Sequence, residues 1–259
     1  LACITFSVKG VSDIEMEDLL SLHDVVLEEV FQYVSPNVRR LPGHVWQRLK
    51  SAMEGLVIEG EHGCVTWFHR QLRESAERWF ASEKQIAHAV MATYFGNLVE
   101  EDLRNDLKIT AQHWTLRGHA FDKASVVNPR RCVEASRHMI LCGFLAQAEK
   151  ELCDFEGICS KVRMGEGFQL VRDLVELNSM TGSAEIRRRS NHYLRWLRQE
   201  LYWLIQYGGF HVFFSAEGQP KISSVKHDGR AFVAKYRRSV MSRSLISGKL
   251  MGGPETFSP

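Results

Sequence analysis

Few reactive side chains in this 259-residue chain stand at spacings that make a reaction. A nucleotide-hydrolysing loop needs glycines whose amides cradle phosphate, followed by Lys and Ser or Thr; Gly248-Lys249 runs on into Leu250 instead, which excludes a P-loop. The cysteines at 3, 64, 132, 142, 153 and 159 form no C-x-x-C pair, and the eleven histidines form no H-E-x-x-H pair, so no metal site is expected. No serine lies in a G-x-S-x-G elbow and no cysteine in a nucleophile motif. The segment is therefore expected to be no enzyme by itself and to hold no cofactor of its own.

What remains is recognition chemistry at two places. His69, in WFHRQLRESAERWF (residues 67 to 80), carries an imidazole that can donate one N–H to an anion and adds charge when protonated. The plainer role for a histidine at a helix start is capping or packing. Arg187, Arg188, Arg195 and Arg198 fall on neighbouring turns of one helix and form a basic face that could meet phosphates or simply be solvated. Trp67, Phe68, Trp79 and Phe80 have the spacing of packing residues.

The elements that must position these residues follow from periodicity. Apolar residues from Glu15 to Tyr33 recur at three and four, predicting one amphipathic helix closed by Pro36. A second helix runs from Pro42 to Met53 with Val45, Leu49 and Met53 as its stripe. Residues 56 to 68 contain two β-prone runs around Glu61-His62-Gly63 and predict a hairpin, the only sheet expected. Helical patterns resume over Phe68 to Phe80 and Gln85 to Phe95, so helix, helix, hairpin, helix is winged-helix order. Beyond residue 100, helices are predicted near 101 to 117, 129 to 153, 155 to 178 and 184 to 206. Breaks fall at Asn128-Pro129, Gly143, Gly165 and Thr181-Gly182-Ser183. In the last helix Ser183 is the cap, and Ile186, Ser190, Leu194, Leu197, Leu201 and Leu204 share one face. From about residue 218 the composition is that of a linker or basic tail, with a short helix conceivable from Arg230 to Leu245.

Composition bounds the function. Hydrophobic residues make up 44% of the chain, enough for a packed core, and a formal charge of +2 gives no global field for nucleic acid or membrane. No apolar run is long enough for a membrane span, and nothing reads as a secretion signal. Scattered cysteines without a framework read as reduced thiols, which points to an intracellular, cytoplasmic setting. Leu1 in place of Met suggests an excerpt of a longer protein.

Three stretches then acquire a common meaning. WFHRQLRESAERWF after the hairpin, GVSDIEMEDLLSLHDVVLEEVFQY (10 to 33) with RRLPGHVWQRLKSAMEGLVIEGEHG before it, and NPRRCVEASRHMILCGFLAQAEKELCDFEGICSKV (128 to 162) resemble STAND-class signalling NTPases with NACHT-like nucleotide-binding domains. The segment FFSAEGQPKISSV (213 to 225) is similar to the join between helical arm and WD repeats in such proteins. The resemblance implies a mainly α fold, with a winged-helix unit carrying one small hairpin and followed by a helical arm. Residues 1–16 would end a preceding helical subdomain, 17–97 form the winged helix, 98–217 the arm, and 218–259 the linker. It also implies that His69 contacts the β-phosphate of ADP held by a neighbouring nucleotide-binding domain, and that downstream repeats are the other partner in the parent chain. ADP or ATP would belong to that parent. An architectural scaffold that has lost nucleotide control is the rival expectation. Nucleic-acid binding is disfavoured because the wing, EGEHG, is acidic.

Overall fold

The computed structural model describes residues 1–32, 38–118 and 125–207, together with Val225 and Asp228. The described residues are mainly helical, with two small antiparallel hairpins. A short helix α1 (Ala2–Phe6) leads through a turn to α2 (Asp13–Ser21), which Ser12 and Glu15 start with a reciprocal capping box. α3 (Asp24–Val30) follows. The single helix expected from Glu15 is thus two, because Leu22 ends α2 and His23 takes an extended conformation before α3. The periodicity ran through the break because both helices send apolar residues to the same core, Met16 and Leu19 from one and Leu27 from the other. Tyr33 and Pro36 lie outside the described residues.

α4 (Gly43–Ala52) begins at Pro42 as expected, but its buried anchor is Trp46, with Met53 beyond its end, while Leu49 is exposed. The indole N–H of Trp46 donates to Asp13 at 2.7 Å, which lets so large an amphipathic ring be fully buried. β1 (Val57–Glu59) and β2 (Val65–Trp67) pair antiparallel around a 3₁₀ turn at Glu61–Gly63. Val11 extends this sheet by pairing with Val65 on the far side of β2.

α5 (Arg70–Trp79) and α6 (Lys84–Phe95) come next, then α7 (Glu101–Leu107). The helix expected to reach residue 117 stops at Leu107, where Lys108 turns left-handed and its amide closes on Arg104 and Asn105. The residues beyond build a second hairpin that was not expected, β3 (Thr115–Arg117) with β4 (Val126–Val127).

α8 (Pro129–Leu141) starts at the expected signal: Pro129 occupies its first turn, and the Asn128 side chain accepts from the amides of Arg130 and Arg131. α9 (Leu145–Leu152), α10 (Phe155–Arg163), α11 (Gly167–Met180) and α12 (Ala184–Tyr207) complete the described chain, with breaks at Gly143, Gly165 and the Thr181–Ser183 turn. Ser183 accepts from the amide of Ile186 at the head of α12.

Among the described residues two large cores form, joined by one helix pair, beside a small cluster of Trp114, Val127 and Cys132. The first gathers α1, α2, α4 and β2 around Ile4, Met16, Trp46 and Phe95; the second gathers α9 to α12 around Leu152, Ile158, Leu174, Tyr193 and Leu197. α6 and α8 pack against each other and feed both: Met91, Phe95 and Ala135 face the first, Ala92, Met139 and Ile140 the second. Val225 also lies in the second core. No described helix is long and apolar enough to cross a membrane.

Candidate functional site

His69 stands where β2 ends and α5 begins. Its backbone is extended and its carbonyl accepts from Leu72 and Arg73, so it is the N-cap of α5, yet its side chain makes no cap bond. The imidazole is exposed and meets the neighbouring Phe68 ring edge-on, centroids 4.2 Å apart. The first turn of α5 contains no acid, and an uncapped N-terminus carries the positive end of the helix dipole. Arg70 and Arg73 add charge there, each leaning on an acid one turn on, Glu74 at 2.6 Å and Glu77 at 3.1 Å. Chemically, the junction favours an anion reached by a directed N–H donor.

Its support comes from inside. The Trp67 indole donates to Thr5 Oγ1 at 3.1 Å, and Arg73 Nη2 donates to the Ser7 carbonyl at 3.3 Å. The aromatic neighbours divide against the packing expectation: Trp67 and Phe80 are half-buried, but Phe68 is 51% and Trp79 82% exposed. α5 packs mainly against α1 and β2, and Ala76 is its one buried residue, so among the described residues the end of the helix that carries Trp79 stays open to solvent.

Behind the junction lies a buried polar knot that the residue patterns did not single out. Glu134 of α8, fully buried, accepts from the amides of Val8 (2.9 Å) and Lys9 (3.0 Å), from Arg130 (3.0 Å) and from His138 Nε2 (2.9 Å). Burial works against its charge, but the His138 bond and Arg130 hold its carboxyl below the usual range. Arg130 also donates to Glu15 at 2.7 Å and to the Gly10 carbonyl at 2.6 Å. Because a carboxylate only accepts, His138 carries its proton on Nε2, leaving Nδ1 to accept from His88 Nδ1 at 2.8 Å. His88 is kept neutral, its pKa lowered to about 4, chiefly by burial and then by His138. The signal was in the sequence: Arg130, Glu134 and His138 are spaced by four and share one face of α8.

Arg187, Arg188, Arg195 and Arg198, the basic face proposed from the sequence, are exposed on α12, while Ser190, Leu194, Leu197, Leu201 and Leu204 of the same helix are buried. Arg187 turns back to the Thr181 carbonyl at the helix start. Arg189, next to them on the same helix, bridges Glu149 (2.8 Å) and Asp228 (3.0 Å). All six cysteines are free thiols, and burial raises Cys132 to about 11. An open groove of about 380 Å³ lies between α4 and the first hairpin, where Lys50 is held by Asp13 and Glu59. No three His, Cys, Asp or Glu side chains converge as metal ligands among the described residues.

An exposed histidine at a strand-to-helix junction on a two-core helical body is found here in a chain similar to parts of proteins that combine a NACHT domain with WD repeats. It is 28% identical over 173 residues to NACHT domain- and WD repeat-containing protein 1 of Mus musculus, a match covering 59% of this chain and 11% of that protein. It is 32% identical over 102 residues to NACHT and WD repeat domain-containing protein 2 of the same species, covering 37% of this chain and 6% of the relative. The Homo sapiens counterpart of the second is 31% identical over the same length. The matches thus span about a tenth or less of the curated relatives. No protein-family profile matches the chain. No solved structure matches it either.

Proposed function

We propose that this chain is a non-catalytic regulatory segment of a larger STAND-class NTPase, a winged-helix unit continued by a helical arm, and that it relays nucleotide state to downstream WD repeats. Its partners are then a neighbouring nucleotide-binding domain on one side and the repeats on the other, within one intracellular parent chain. ADP or ATP is held by the neighbour, and the segment supplies contacts instead of chemistry.

The observation that carries this reading is His69: an exposed imidazole without an intramolecular hydrogen bond to cap its helix, at the uncapped start of a ten-residue helix. A diphosphate oxygen placed there would accept from the ring and face the helix dipole. A contact made only in the closed, ADP-bound form shifts the closed–open equilibrium by its differential free energy, about 1 to 3 kcal/mol for a bond to a charged group. In the full-length parent, His69→Ala is expected to speed ADP dissociation roughly 5- to 150-fold. Unchanged dissociation in a stopped-flow displacement measurement removes the sensor role.

A second reading, an architectural scaffold without nucleotide control, is favoured by Trp79 and Phe68, whose exposed rings suit contact with another protein surface. It predicts ADP handling indifferent to His69 and assembly sensitive to Trp79. The arginine face of α12 is read as solvated.

A further inference from the structure

We infer that Glu134, on α8, is a positioning residue for the junction that carries His69, acting through the turn Ser7–Val11. The inference deepens the proposed role of His69 and concerns its regulation by the arm.

The turn ties the arm to the hairpin side through its backbone. Glu134 holds its amides at Val8 and Lys9, and Arg130 holds its carbonyl at Gly10. On its other side, Val11 exchanges two hydrogen bonds with Val65 of β2, N to O at 3.1 Å and O to N at 2.8 Å. The Ser7 carbonyl receives Arg73, whose own amide closes on His69. Three elements, α8, β2 and α5, therefore meet on five consecutive residues.

The turn also has little freedom to adjust. Gly10 sits at φ +82°, and a Cβ there would lie 2.5 Å from the Val65 carbonyl oxygen, so the backbone is pressed against β2. Glu134 has no spare acceptor capacity to trade, since its oxygens already take two amides, a guanidinium and an imidazole. A displacement of α8 must move the turn, and the turn must move the strand and helix that flank His69. The same contacts run in the other direction, as linkage requires.

Amide exchange in the full 259-residue chain tests this. Glu134→Gln keeps the shape of the side chain but replaces an acceptor oxygen by a donor. It is expected to speed exchange at the Val11 and Val65 amides by about tenfold or more while leaving Leu174 in α11 unchanged. Arg131→Gln on the same helix removes the bidentate pair with Glu151 and is expected to leave Val11 and Val65 at their original rates. If Glu134→Gln fails to fold, Arg130→Lys reads the same amides. Unaltered exchange at Val11 and Val65, or acceleration equal to that at Leu174, overturns the inference. In the parent, Glu134→Gln should speed ADP release in the same sense as His69→Ala, with the double variant no faster than the larger single effect. Altered exchange with unaltered ADP release defeats the nucleotide role of His69 and leaves the positioning role standing.

Discussion

α5 and α12 are both amphipathic and both rich in arginine, yet they end up in opposite situations. α12 lays Leu194, Leu197, Leu201 and Leu204 into a core shared with α9, α10 and α11, and Tyr193 and Trp196 are buried beside them. α5 has the same alternation but buries only Ala76, and its largest apolar side chain, Trp79, is the most exposed large hydrophobic residue described. Periodicity names the apolar face of a helix; it does not say whether the partner for that face lies in the same chain.

The comparison breaks most easily at Leu197. Truncation to Ala leaves a cavity among close-packed side chains and is expected to lower stability by about 2 to 5 kcal/mol in urea unfolding. A loss below about 1 kcal/mol would mean that α12 is no better anchored than α5.

The seam between the two regions offers a second test, by pH. His88 titrates near 6.5 in the unfolded chain and at about 4 when folded, so across that window the unfolded state binds a proton that the folded state does not. Stability is complete above the unfolded value and falls as the pH falls toward 4, by about 2 kcal/mol between pH 7.5 and 5. His88→Phe is expected to flatten that slope, and a slope unchanged by the substitution would place the titration elsewhere. The smallest effect is expected at Trp79: replacing it by Ser should alter stability by no more than about 0.5 kcal/mol, as for other exposed sites. A larger loss would show that α5 has a partner within the chain.

The sequence reading was soundest where local chemistry decides. The caps at Asn128-Pro129 and Ser183, the glycine breaks at 143 and 165, and the hairpin around Glu61–Gly63 all depend on residues within a few positions of one another. It failed where a distant contact takes over. The helix expected to reach 117 gives way because Thr115–Arg117 pairs with Val126–Val127. Leu49 lost its place on the stripe of α4 to Trp46, whose indole finds Asp13 on another helix. The strand-to-helix junction at residue 69 was legible from the two β-prone runs around Glu61–Gly63. The knot behind it was only half legible: Arg130, Glu134 and His138 recur at every fourth residue, but the other partners of Glu134 are backbone amides 125 and 126 residues away, and amides leave no trace in composition.

That separation has a kinetic side. Closing a flexible loop of 126 residues costs about 4 kcal/mol of chain entropy, so the Glu134 contacts to Val8 and Lys9 belong to the late, long-range part of folding. During synthesis at about 5 to 20 residues per second, roughly 6 to 25 s pass between the making of Val8 and of the carboxylate that fastens it. Until then the Ser7–Val11 segment has no partner from α8, and a nascent chain halted before residue 134 would present the hairpin unfastened to whatever binds extended backbone.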